Sequence, residues 1–230
     1  MQFHWKILAG AALFTCASSP GVAAAAGSST NIPPRLAFVA SAAGPNILGT
    51  IAQPIRADRF AASAHHAFAD ASASPLMQRL IAPARPLNRI QQMAYVQTRV
   101  NNNIRWVSDA TEWGQHDYWA SATETLTHGA GDMEDRAIVK MQALRALGFN
   151  PSDLFLTLAR DRVGGPITVL MVRLNGRYFV LDDTGGPPFP VEERRFEFQP
   201  VISFGWNGTW VHTRPQATPI AATAGAFAHK

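Results

Sequence analysis

Gly131–Pro151 reads GDMEDRAIVKMQALRALGFNP. Asp132 is of the type whose short carboxylate caps the unpaired N–H groups of a helix's first turn, and Asp135 follows three residues on. Ala137, Met141 and Leu144 then fall on one face. Gly148 supplies a left-handed stop, and Pro151 prevents continuation. Beyond this helix the apolar period drops to two. Leu154–Ala159 and Ile167–Leu174 read as strands, and Asn175-Gly176 predicts a type I′ turn into a strand at Arg177–Leu181. A further strand around Phe196–Phe204 leads through a turn at Asn207-Gly208 to Trp210–His212. Upstream, Pro83 and Pro86 punctuate the start of another helix, with Ile90, Met93, Val96, Val100 and Ile104 as one apolar stripe. Helices followed by an antiparallel run predict an α+β fold.

Working outward, the chain has 230 residues, 47% of them hydrophobic and 16% charged. That composition excludes wholesale disorder and a collagen-like structure. The length suits one compact domain with tails, or at most two small domains. One cysteine excludes a disulfide scaffold and a Cys-rich zinc module. The net charge is only +4, with no run of Lys or Arg that could track phosphates, so no nucleic-acid partner is expected.

Residues 1–26 combine a short positive start (MQFHWK), an apolar stretch and a small-residue exit, and read as a signal peptide cut near Ala25 or Ala26. Ser18, Ser19 and Pro20 interrupt the apolar run, which argues against a transmembrane segment. A lipoprotein anchored at Cys16 is the lesser alternative, because bulky Phe14 and Thr15 precede it. Removal of the leader takes the only thiol with it. Residues 27–54, poor in charge and rich in small residues and proline, read as a linker or N-terminal arm. Residues 55–213 form the expected domain, and 214–230, rich in alanine, an unstructured tail.

From Val100 the ordered set Val100-Asn101, Ile104-Arg105-Trp106, Trp113-Gly114, Asp117-Tyr118-Trp119-Ala120, Glu124, Gly131-Asp132, Glu134-Asp135, Ala137, Lys140, Leu144 and Leu147-Gly148, then Val169-Leu170 and Val180-Leu181-Asp182, resembles the bacterial transglutaminase-like cysteine peptidases. This periplasmic group includes the protease that releases large surface adhesins in biofilm control. The resemblance spans roughly Leu87 to Trp210 and implies a papain/transglutaminase-like core.

Active members of that family carry G-D-C-E-D, with the cysteine at a helix start where free N–H groups and the helix dipole stabilise a thiolate. Their histidine heads an H-A-V-L strand, and an aspartate in an L-D-N turn orients it. The corresponding positions here are Met133, Ile167 and Asp182. A thioether has no proton to lose and an alkyl chain cannot accept one, so only Asp182 survives of the three. Loss of even one essential group costs many powers of ten in rate.

In the family the acidic residues flanking the cysteine bind calcium, which nominates Asp132, Glu134 and Asp135. The alternative is that all three serve only as caps and first-turn acids. Trp113, Tyr118 and Trp119, with Trp106, are expected to wall the cleft, as core or as a peptide-binding surface. His116, His128, the His65-His66 pair, Ser121 and Thr123 have no partner at a catalytic or metal spacing. The expected function is an inactive periplasmic homologue that binds a peptide or protein partner. The alternatives are a hydrolase using other groups, such as Asp132 with Asp182 or a histidine, and a structural envelope protein.

Overall fold

The computed structural model describes residues 44–56, 58–190 and 198–215, without the side chains of 58 and 59. The expected signal peptide, most of the expected arm and nearly all of the expected tail lie outside them. In chain order the elements are β1 (Ile51–Ile55), α1 (Asp58–Ala67), α2 (Pro75–Ile81), α3 (Arg89–Asn103), β2 (Arg105–Trp106), α4 (Asp109–Glu112), α5 (Ala122–His128), β3 (Ala130–Gly131) and α6 (Met133–Ala146). Then follow β4 (Leu154–Arg160), β5 (Pro166–Leu174), β6 (Arg177–Leu181), β7 (Phe189–Pro190), β8 (Gln199–Gly205) and β9 (Gly208–Thr213).

Helix α6 forms as its sequence dictates. Asp132 Oδ1 accepts from the N–H groups of Glu134 and Asp135, and Gly148 turns left-handed at φ 84°. The helix is not amphipathic, however: Glu134 through Leu144 are all buried, polar residues included. A helix buried on every side is a central element. Its cations are paired accordingly. Lys140 Nζ lies 2.6 Å from Asp183, and Arg136 Nη1 3.0 Å from the same carboxylate.

Helix α3 starts at a complete capping box, Asn88 with Gln91. Met93, Val96, Val100 and the following Ile104 are buried, but Ile90 is 47% exposed. Two successive spacings of three rotate Ile90 off the axis of the stripe, so it is not part of the core.

The sheet has seven strands in the order β1-β9-β8-β4-β5-β6-β7, with every pairing antiparallel. Asn175 and Gly176 take φ values of 52° and 76°, the double positive of a type I′ turn. The β8–β9 turn sits one residue earlier than its sequence suggests. Gly205 pairs with Gly208, so Trp206-Asn207 is the turn and Gly208 opens β9. Phe196, expected at the start of β8, lies outside the described residues.

A correction applies to the N-terminal arm. Ile51–Pro54 belong to β1, paired with β9, and Ile47 is buried in a cluster with Phe155, Val169, Met171, Val180, Phe189 and Trp210. The apolar residues of this stretch are spent on a sheet edge. Pro54 is tolerated there because, among the described residues, β1 has a neighbour on one side only.

Candidate functional site

A two-stranded parallel ribbon delivers the chain to the start of α6. β2 pairs with β3, Arg105 opposite Ala130 and Trp106 opposite Gly131, so Trp106 stands one residue from the Asp132 cap. Gly131 is required by packing. A Cβ there would lie 2.7 Å from Asp135 Cβ and 2.8 Å from its Oδ2.

Met133 is the first residue of α6 and is half-buried. Asp182 is buried just past β6. Its Oδ1 accepts from Thr184 N–H at 3.0 Å and Thr184 Oγ1 at 2.8 Å, while Oδ2 finds no partner among the described residues. Its own backbone is fixed by α3 and α6: Asp182 N–H donates to Gln97 Oε1, and its carbonyl accepts from Asn101 and Lys140. Ile167 packs against the Val169–Met171 cluster. Strand alternation puts Thr168 on the opposite face, and it is the Thr168 hydroxyl that reaches α6, donating to Glu134 Oε1 at 2.7 Å.

The acidic residues divide. Glu134 accepts from Thr168 and also meets the Asp132 carboxyl, while Asp132 and Asp135 converge with Asp109 of α4, the ligand atoms of these three all within 4.8 Å of one another. Asp109 was not singled out from the sequence. Ser108-Asp109 reads as an ordinary helix start, and only the fold brings it to α6. Asp109 Oδ2 accepts from Tyr118 N–H at 2.6 Å, and Asp135 Oδ1 from Ala120 N–H at 2.8 Å. These bonds hold two of the carboxylates by one oxygen each. The other oxygens, Asp109 Oδ1 and Asp135 Oδ2, are buried without a hydrogen-bond partner among the described residues.

Burial, joined by mutual repulsion, drives these acids toward their protonated forms. Asp135 is pushed up to about 8, by burial first and then by Asp132. Asp132 rises through burial and the charges of Glu134 and Asp109. Asp109 rises through burial, then Asp117 and Glu112. Two buried carboxylates and a half-buried third, with two orphaned oxygens among them, make a site that a hard divalent cation fits, since it would replace both the missing protons and the missing donors.

The aromatic residues also divide. Trp113 is half-buried between the rings of Tyr118 (4.9 Å) and His128 (4.7 Å), and Trp106 is 47% exposed. Trp119 is core, and its expected place in a cleft wall is corrected. It is 3% exposed and packs on Phe60 and Phe204, drawn inward where the next residue's N–H binds Asp135. Tyr118 O–H donates to Glu124 Oε1, whose carboxylate also takes His66 at 2.7 Å and completes a capping box with Ser121. His128 pairs with Glu112 at 3.2 Å. His116 and Thr123 are exposed.

The family model described as bacterial transglutaminase-like cysteine proteinase BTLCP matches residues 49–217. Among solved structures, that of Legionella pneumophila LapG is 26% identical over 59% of this chain and 74% of that one, with a TM-score of 0.51. EGTA-treated Legionella pneumophila LapG is 25% identical over 62% of this chain and 76% of that one, with a TM-score of 0.53. No curated protein matches the chain.

Proposed function

The chain belongs to the bacterial transglutaminase-like cysteine proteinases, and from that premise we propose that it is a catalytically inactive member that acts by binding a peptide or protein partner in the periplasm, with a calcium ion at Asp109, Asp132 and Asp135. One observation carries the inactivity: Met133 occupies the first position of α6, directly after the Gly131-Asp132 pair, where the family places its cysteine. A methyl-capped sulfur there cannot form a thiolate or an acyl-enzyme. The orphaned Oδ2 of Asp182 agrees with it. The side-chain contacts of Asp182 among the described residues are to Thr184, through Oδ1 alone.

Calcium is supported by the donor set. Asp109, Asp132 and Asp135 supply only hard oxygens, and Glu134, nominated from the sequence, stands against Asp132 beside them. In an inactive protein the ion's role is structural: it ties α4 and the segment 118–120 to the start of α6. Binding is supported by the aromatic surface. Trp106 is held in register with Gly131 and nearly half exposed, a large apolar group set beside the former catalytic position. Export rests on the character of residues 1–26, and no helix among the described residues is long and apolar enough to cross a membrane.

The test pairs two measurements on the purified chain in calcium. New N-termini are counted in unfolded casein after incubation, with none expected. Separately, photocrosslinkers at positions 106 and 163 are compared in periplasm, and a partner captured only from 106 is expected. Cleavage that disappears in Asp182→Asn would overturn the inactivity, and equal capture at both positions would overturn the binding surface.

A further inference from the structure

We propose that the segment Gly44–Ile55 is a strap over the sheet, latched through the imidazole of His212, and that acid releases it while the rest of the domain stays folded. Three contacts lay the strap down. Gly44 lies so close to the Trp210 indole that a Cβ would sit 2.4 Å from Cδ1. Ile47 is buried beside Trp210, and β1 pairs with β9, Ala52 opposite His212. Asn46 Oδ1 folds back to accept the Ala52 N–H at 2.8 Å.

The latch is a directional relay. Thr50 Oγ1 donates its one proton to the Ile47 carbonyl at 2.7 Å, so toward His212 Nδ1, 2.9 Å away, it can only accept. His212 therefore carries its proton on Nδ1, and Nε2 accepts from Ser203 Oγ at 2.8 Å. Ser203 in turn accepts from Thr157 at 2.8 Å. Every member is neutral, and Ser203 and Thr157 are fully buried.

A second proton on His212 breaks this order. Nε2 must then donate, Ser203 must reverse to donate to Thr157, and the Thr157 proton is left with only the long bond to the Phe155 carbonyl at 3.4 Å. The neighbours offer no compensating charge: the strap presents Asn46 and Thr50, β1 Ala52 and Gln53, β8 Ser203, and β4 Thr157. Burial alone accordingly holds His212 down at about 4, from an ordinary 6.5. The closed strap excludes a proton that the open one accepts below pH 6.5. Opening therefore grows by about tenfold per pH unit down to the folded value. β1 is the element to yield, being the edge strand of the sheet among the described residues.

Hydrogen exchange of the whole protein, read as protection factors by mass spectrometry, tests this. Between pH 6.5 and 4.5 the peptide covering 44–56 should lose about fortyfold in protection, because the open form is already half protonated at the upper limit and the closed form begins to protonate at the lower, while that covering 166–174 keeps its own. His212→Gln should abolish the pH slope. Thr50→Val, which removes only the strap's side of the latch, should lower protection of 44–56 at pH 7 and leave 166–174 unchanged. A flat wild-type profile, parallel loss at 166–174, or an unaltered slope in His212→Gln would overturn the proposal. Should His212→Gln not fold, the Thr50→Val result decides, and protection of 44–56 equal to wild type would refute the latch.

Discussion

Asp109→Asn separates a cation site from a set of helix caps. In the metal-free protein the variant removes a negative charge whose ligand atom lies within 4.8 Å of those of Asp132 and Asp135. Two ionised carboxylates at that separation repel by about 3.5 kcal/mol at an effective dielectric of 20. Protonation already relieves part of this, as the rise of Asp135 to about 8 records. The net gain in chelator is therefore on the order of 1 kcal/mol, or about 2–4 °C in Tm for a domain of this size. Asn keeps the acceptor that Tyr118 N–H requires, so the fold of the segment is preserved. In calcium the sign reverses. At one hundred times its Kd a ligand stabilises by about 2.7 kcal/mol, an upward shift of roughly 5–10 °C in the wild type. The variant, short of one of three carboxylates, should shift by less than about 2 °C. Differential scanning calorimetry in millimolar calcium and in chelator reads both effects. Equal calcium shifts in the two proteins, or a metal-free variant melting several degrees lower, would refute the assignment of Asp109.

The same burial predicts an unusual pH dependence. Asp135 is raised when folded, from 3.8 to about 8, so its stabilising protonated form is fully present below about pH 4 and lost as pH climbs through 8. Metal-free protein should weaken across that window by up to about 1.4 kcal/mol per unit, and urea melts at pH 5 and 8 with and without calcium should show calcium flattening the profile. Gly131→Ala should cost about 1–3 kcal/mol and weaken calcium binding by calorimetric titration, since the new methyl group displaces Asp135. Trp119→Ala should cost about 3–5 kcal/mol in chemical denaturation, and Trp106→Ala under about 1, because only the first ring fills the core.

What the sequence made legible was local. The cap at Asp132, the stop at Gly148 and the turn at Asn175-Gly176 are set by neighbours within a few residues, and the structure reproduces them. What it concealed depends on distant partners. Ile51–Pro54 resemble a linker until β9 arrives beside them. Asp109 resembles any helix start until Asp132 and Asp135 are folded against it. Trp119 resembles its cleft neighbours until Phe60 and Phe204 close around it. The family pattern bridged part of this gap, because an ordered motif carries long-range information that periodicity lacks. It nominated Asp132, Glu134 and Asp135 at the start of α6, but it carried no signal for Asp109, whose ligand atom the fold brings within 4.8 Å of those of Asp132 and Asp135.

The central claim is the chemical silence of position 133. The most direct test incubates the purified chain, calcium-loaded, with unfolded protein substrate beside its Asp182→Asn variant, counting new N-termini by mass spectrometry. Both preparations should yield the background of a no-protein control. Turnover by the unmodified chain that Asp182→Asn abolishes would mean that a working hydrolase stands where Met133 and Ile167 argue for none.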